Sequence, residues 1–345
     1  MKKVTLMVLA VAILGVAYAP ALAADVHELW LGKGSNTIKR YGLFDETDAL
    51  NSTFIADLAN THGTRGIMQV KFGFDNGTVW TTNDGGGAIT AFSTQAVSLG
   101  TIPGSAAANF GFSIPIAVNP NAPAKRVYVQ GQDATTSLYK IVKFDKDGNY
   151  KGDLTPASGL VVPGLGTAGS VMGYSEGMEI DAQGNIYVSA TQATNNAIIR
   201  LDPDGSNPTI WAENLRTKPQ RLRFDSSGTL WYTGANNEVI RIDSPGSSPS
   251  DTRNYSFSVG SPRGLVFVPG NDDRYYVALP GSSWQRLNLN SGALDLAVSA
   301  GVNTANAAGG FSPSEVGLVI VPEPTTLALL ALGGVMVMSR RRRRA

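Results

Sequence analysis

One hairpin is written twice in this chain, almost residue for residue. Residues 178–188 read Met-Glu-Ile-Asp-Ala-Gln-Gly-Asn-Ile-Tyr-Val, and residues 222–232 read Leu-Arg-Phe-Asp-Ser-Ser-Gly-Thr-Leu-Trp-Tyr. In both, an apolar strand enters an Asp-x-x-Gly turn and leaves through a strand with a central aromatic. Looser copies lie at 74–80 around Trp80, at 117–129 around Tyr128 and at 265–277 around Tyr276. A third strand follows each hairpin, at 89–92, 141–144, 198–201, 239–242 and 285–289. The marker aromatics Trp80, Tyr128, Tyr187, Trp231 and Tyr276 are 48, 59, 44 and 45 residues apart. That period is the size of one small β-sheet repeat, and the 59-residue interval predicts one long insertion ahead of the third unit.

A sixth unit is divided between the two ends. Trp30 lies 50 residues before Trp80, and residues 38–41 follow it as a third-strand copy, but no first strand precedes it. The missing strand occurs near the C-terminus, where residues 317–322, Gly-Leu-Val-Ile-Val-Pro, repeat residues 264–269, Gly-Leu-Val-Phe-Val-Pro. The expectation is an all-β chain forming a six-bladed β-propeller, its last blade closed by strands from both termini so that no sheet edge is left at the seam. Length alone would suggest two domains, yet a repeat array over residues 24–321 is one architecture.

Composition agrees. The 345 residues include 39 glycines and 18 prolines, enough turn-formers for many short strands, and no cysteine, which excludes disulfides, zinc–thiolate sites and thiol nucleophiles. The net charge of +1 conceals the run Arg340 to Arg344; without it the balance is acidic, and no basic face for nucleic acid is implied.

The ends read as addresses. Lys2 and Lys3 precede an apolar stretch over 4–18, and Ala21-Leu22-Ala23 supplies the small-residue pattern signal peptidase requires, so residues 1–23 are expected to be a cleaved signal peptide. At the other end, Pro322-Glu323-Pro324 is followed by an uncharged segment over 325–338, Ser339 and the arginine run. These three parts, residues 322–345, resemble the PEP-CTERM sorting signal of Gram-negative bacteria. The resemblance implies that an exosortase-like enzyme recognises the Pro-Glu-Pro motif and removes the tail, commonly in bacteria that make exopolysaccharide. The physics is consistent, since arginines stay cytoplasmic and hold the apolar segment across the membrane with the body outside. At fewer than the roughly 20 residues of a comfortable span, that segment suits a transient sorting helix. The expected course is an inner-membrane-anchored precursor with a periplasmic body, then the envelope or extracellular matrix.

The body resembles the NHL and SMP-30/gluconolactonase-type six-bladed propellers through its Asp-x-x-Gly-x-aliphatic-aromatic hairpins. In such folds the residues just ahead of each first strand face the central channel; here they are Arg65, Ser113, Glu176, Gln220 with Arg221, Arg263 and Glu315. SMP-30-like enzymes hold a divalent metal, calcium or similar, there through oxygen ligands, which a hard cation requires. Glu176-Gly177 fits that pattern, but Pro219-Gln220-Arg221 and Pro262-Arg263-Gly264 put Gln and Arg into ligand slots, and arginine opposes a cation.

Two readings therefore stand. In the preferred one the chain is a non-catalytic binding propeller in which Arg65, Gln220, Arg221 and Arg263 hold carboxylates of exopolysaccharide or a surface partner. In the other it is a lactonase-type hydrolase or lyase using Glu176, Glu315 and His62. Asp145-Lys146-Asp147-Gly148-Asn149 and Asp202-Pro203-Asp204-Gly205 look like calcium loops but lack a closing Glu and follow third strands, so they are read as turns. The recurrent Trp and Tyr are read as hairpin core. No Gly-x-Ser-x-Gly elbow or phosphate-binding glycine loop occurs.

Overall fold

The computed structural model describes residues 26–32, 37–43, 53–59, 64–70, 77–83, 86–119, 125–235, 238–246, 249, 253–256, 263–268, 271–279, 283–289, 291, 294–297 and 315–321. Residues 28–319 form one compact unit, and residues 1–27 with 320–345 group as a second. In chain order the strands are β1 (Val26–Gly32), β2 (Thr37–Leu43) and β3 (Thr53–Ala59), then β4 (Thr64–Val70), β5 (Thr78–Asn83), β6 (Thr90–Ser93) and β7 (Ser98–Thr101). Next come β8 (Phe110–Asn119), β9 (Arg126–Asp133), β10 (Tyr139–Phe144) and β11 (Tyr150–Asp153), followed by β12 (Met178–Ile180), β13 (Ile186–Ala190), β14 (Ala197–Leu201) and β15 (Thr209–Ala212). The last are β16 (Pro219–Phe224), β17 (Leu230–Gly234), β18 (Glu238–Ile242), β19 (Arg253–Ser256), β20 (Arg263–Val268), β21 (Asn271–Leu279), β22 (Ser283–Asn288), β23 (Leu294–Ala297) and β24 (Glu315–Val321).

Among the described residues these pair as six four-stranded sheets. Five take four consecutive strands each, from β4 to β23, and the remaining one has the order β24-β1-β2-β3. The fold is an all-β propeller. A fourth, outermost strand per sheet was not legible in the sequence, and β7 shows why: all four of its residues are exposed, so it carries no apolar alternation.

The hairpin signature now has a physical cause. In Asp181 to Asn185 and Asp225 to Thr229, the Asp N–H and C=O close the turn on residues four and three further on, at 3.0–3.1 Å, and the Asp carboxylate accepts the N–H of the residue four further on. Gly184 and Gly228 sit at φ 89° and 79°, left-handed backbone that a Cβ would strain. The other carboxylate oxygen takes the aromatic's polar end: Tyr187 Oη donates to Asp181 at 3.1 Å, and Trp231 Nε1 donates to Asp225 at 2.9 Å. Burial and the Asp181 charge push the Tyr187 phenol up to about 12. Where no Asp stands six residues upstream, a nearer acceptor substitutes, Thr78 for Trp80 and Glu28 for Trp30.

The suspected calcium loops repeat this turn. Asp145 and Asp202 close on Gly148 and Gly205 with the same backbone pair, and the Asp145 carboxylate is filled by the N–H groups of Asp147 and Asn149. Burial would raise the Asp145 pKa, but hydrogen bonds from Asn149, Lys151 and the turn outweigh it and hold the group at about 2. A depressed folded pKa contributes stability above the unfolded value near 4 that is lost as pH falls toward 2. Asp145→Asn is therefore expected to lower stability by about 1–2 kcal/mol at neutral pH, with the gap in urea midpoint narrowing between about pH 5 and pH 3. A pH-independent gap would mean the carboxylate charge is not what the turn uses.

The marker aromatics join consecutive sheets. Trp30, Trp80, Tyr128, Tyr187 and Trp231 are all at most 6% exposed. Trp30 meets Phe92 and Trp80 meets Phe144 edge-on, with centroids 6.1 and 6.0 Å apart. Tyr128 packs into a cluster with β12–β14, Tyr187 lies 5.1 Å from Phe224, and Trp231 packs on Leu265 and Leu287. Their reading as core holds. The predicted insertion is the connection 154–177, which buries Leu160, Val162, Leu165 and Met172 against two sheets and is pinned by a bridge between Val161 and Val171.

Candidate functional site

Four first strands carry an irregularity at their starting end: the register shifts between Thr64 and Gly66, Ser113 and Ile116, Pro219 and Leu222, and Arg263 and Leu265. A bulge there re-aims the side chains caught in it. Hydroxyls of the same or a neighbouring sheet satisfy backbone at this end of the strands: Arg221 N–H donates to Thr233 Oγ1 at 3.0 Å, Asn83 N–H to Ser113 Oγ at 3.3 Å and, ahead of the regular β12, Gly177 N–H to Ser189 Oγ at 2.9 Å. Of the positions singled out ahead of the first strands, Arg65, Ser113, Gln220, Arg221 and Arg263 thus fall at these irregularities, whereas Glu176 precedes β12, which pairs without a shift.

The strands approach too closely for side chains between them. A Cβ on Gly177 would stand 2.0 Å from the Gln220 carbonyl oxygen, and one on Gly66 would stand 2.5 Å from that of Ile114. The void between Ile67 of β4, Ile116 of β8, Glu176 before β12 and Arg221 of β16 measures about 10 Å³, room for about one water molecule. A larger void of about 170 Å³ lies apart, beside Leu215, Arg216 and Tyr232.

Glu176 is 8% exposed and Arg221 5%. Arg221 Nη1 donates to the Glu176 carbonyl and stands 3.7 Å from its carboxylate, whose other oxygen accepts the Tyr174 hydroxyl at 3.0 Å. A guanidinium in this place does not suit a divalent cation, and among the described residues no three Asp, Glu or His converge as metal ligands. Gln220 is buried, and among the described residues its amide oxygen has no hydrogen-bond partner. The side chains of Arg65, Arg263 and Glu315, and all of His62 and the Pro322-Glu323-Pro324 segment, lie outside the described residues.

Sequence reasoning missed two features on the same side as Glu176. Phe112, Tyr139 and Tyr174, all half-buried, bring their ring centroids within 5.8–6.2 Å of one another. Beside them Asp133 and Lys140, each 4% exposed in the side chain, form an ion pair at 2.9 Å. Burial works to raise the Asp133 pKa, but hydrogen bonds from Lys140, Thr136 and Thr135 hold it well below the usual carboxylate range. The 59-residue spacing was the available signal, since Tyr174 comes from the insertion.

Comparison with known proteins places the last part of the chain directly. Residues 321–344 are a PEP-CTERM protein-sorting motif. It marks an exported, envelope-targeted protein and implies processing by an exosortase-type enzyme. No curated protein sequence matches the chain. Among solved structures, a chain of a nidogen–laminin complex is similar with a TM-score of 0.63 and 16% identity, over 85% of this chain and 98% of that one. A protein of unknown function from Bacteroides caccae is similar with a TM-score of 0.57 and 11% identity, over 86% and 99%. At such identities the likeness concerns the fold. Among the described residues no helix is long and apolar enough to cross a membrane.

Proposed function

We propose that this chain is a non-catalytic binding propeller of the cell envelope, delivered by its sorting motif and acting on exopolysaccharide or another surface component. In this reading residues 1–23 are removed by signal peptidase, residues 24–321 are the propeller, and the tail anchors the precursor until an exosortase-type enzyme cleaves it. The six sheets are its blades, and β24 beside β1 closes the ring from both termini. The observation that carries the proposal is the described side of the channel, where about 10 Å³ of void remains between Ile67, Ile116, Glu176 and Arg221 and the Glu176 carboxylate faces the Arg221 guanidinium instead of a set of metal ligands. Arg221 acts here as a positioning residue for Glu176, and contact with acidic groups falls to Arg65 and Arg263. The similarity to a chain solved in a nidogen–laminin complex is compatible with a binding role for such a propeller.

The test is co-sedimentation of the exported protein with exopolysaccharide of its own bacterium across a salt series, with metal analysis of the same preparation. Retention that is indifferent to chelator supports the binding reading. A stoichiometric divalent metal, with lactone hydrolysis that chelator and Glu176→Gln abolish, would replace it with the lactonase-type reading.

A further inference from the structure

The aromatic cluster offers a ligand-binding surface that the channel does not. Phe112, Gln132 and Tyr139 occupy one cross-strand row, because Phe112 pairs with Gln132 across β8 and β9, and Gln132 pairs with Tyr139 across β9 and β10. The Gln132 side chain thus shares its face with two rings that meet edge-on, centroids 5.8 Å apart. Tyr174 joins from the insertion, 6.2 Å from both rings.

That insertion spans 24 residues between β11 and β12, whereas 102–109 and 213–218 link neighbouring sheets with 8 and 6. Connections of this length with a packed interior are usually functional. It also keeps Leu138 and Val161 at the surface nearby, 37% and 54% exposed.

The chemistry of the patch selects its occupant. Among the described residues nothing hydrogen-bonds the Tyr139 hydroxyl, and the Gln132 amide, which donates to the Ser137 carbonyl at 2.9 Å, keeps an oxygen with no protein donor. Half-buried rings beside one free hydroxyl, that of Tyr139, and one free amide oxygen, that of Gln132, complement a molecule that is apolar on its face and hydroxylated at its edge. The bordering charges are compensated, Asp133 by Lys140 and Glu176 by Arg221, so the surface does not favour an ionic ligand.

We propose that Phe112, Gln132, Tyr139 and Tyr174 form a subsite for one pyranose ring of an uncharged glycan. The proposal rests on the binding reading above and adds to its channel arginines a separate subsite for uncharged sugar. Retention is measured by affinity electrophoresis of the exported protein in gels containing a soluble β-glucan, dextran or alginate, at about 50 and 500 mM salt. The expected result is retention by a neutral glucan that changes less than about twofold with salt. Tyr139→Ala is expected to weaken it about tenfold. Tyr139→Phe, which keeps the ring, and Gln132→Glu, which keeps the side chain's length, are expected to weaken it about threefold.

Equal retention of wild type and all three variants overturns the subsite. So does salt-sensitive retention by alginate alone that Tyr139→Ala leaves unchanged, although the binding reading then survives. Retention by none of the three polymers overturns the subsite, and if the bacterium's own exopolysaccharide is also not retained, the binding reading falls too.

Discussion

Trp231→Ala is expected to destabilise the propeller by about 3–5 kcal/mol, the range for emptying a large buried aromatic site. The indole is 2% exposed and packs on Leu265, Leu287 and Leu289 of the adjoining sheet. Its loss opens a cavity between sheets, where relaxation requires two sheets to shift together. Trp231→Phe separates the contributions, because it retains most of the ring but removes the 2.9 Å bond from Nε1 to the Asp225 carboxylate. That variant is expected to cost only about 1–2 kcal/mol. Urea midpoints at constant m-value measure both; a cost under about 1 kcal/mol for the alanine variant would show that this ring does not join the sheets.

Asp133→Ala is expected to cost about 3 kcal/mol, the low end for breaking a buried ion pair, because it leaves the buried Lys140 with a more distant and more exposed counter-charge. Lys140 would keep only Asp153, at 3.3 Å, and the N–H groups of Thr135 and Thr136 would lose their shared acceptor. The double variant Asp133→Asn with Lys140→Met is expected to recover most of the loss, since it buries no charge. The sign with pH follows from the direction of the shift. A carboxyl held below its unfolded value stabilises the fold above about pH 4 and loses that contribution as pH falls, so the deficit of Asp133→Ala should shrink in acid. An equal deficit at pH 7 and pH 3.5, or a double variant as unstable as the single one, would assign the cost to the loop's backbone bonds alone.

The Asp-x-x-Gly hairpins, the third strands, the buried marker aromatics and the long insertion were all visible before any coordinates, because each is fixed by residues within one turn or one strand of itself. Asp181 holds its own turn and its own Tyr187, and that local closure repeats at Asp225. The same locality made Asp145 and Asp202 readable as turns. The sorting motif was legible for a related reason: it is read by another protein as a linear signal, so its parts stand in sequence order.

What escaped the sequence depends on where strands from distant parts of the chain stand in space. The outer strands are short and differ from sheet to sheet, and β7, exposed at all four residues, gives no pattern to find. Arg221 could be placed ahead of its strand, but that its guanidinium would be spent on Glu176, 45 residues away, follows only from two first strands packed at glycine distance. Phe112 with Tyr139 and Tyr174 likewise meet only when a hairpin, a first strand and an insertion converge at one end of one sheet, whereas Asp133 and Lys140 meet across the mouth of one hairpin and were missed because no charge pattern marks that pairing. Periodicity records which face of a strand is buried; the partners of a buried charge or a half-exposed ring are chosen by the packing of sheet on sheet, which only the tertiary structure decides.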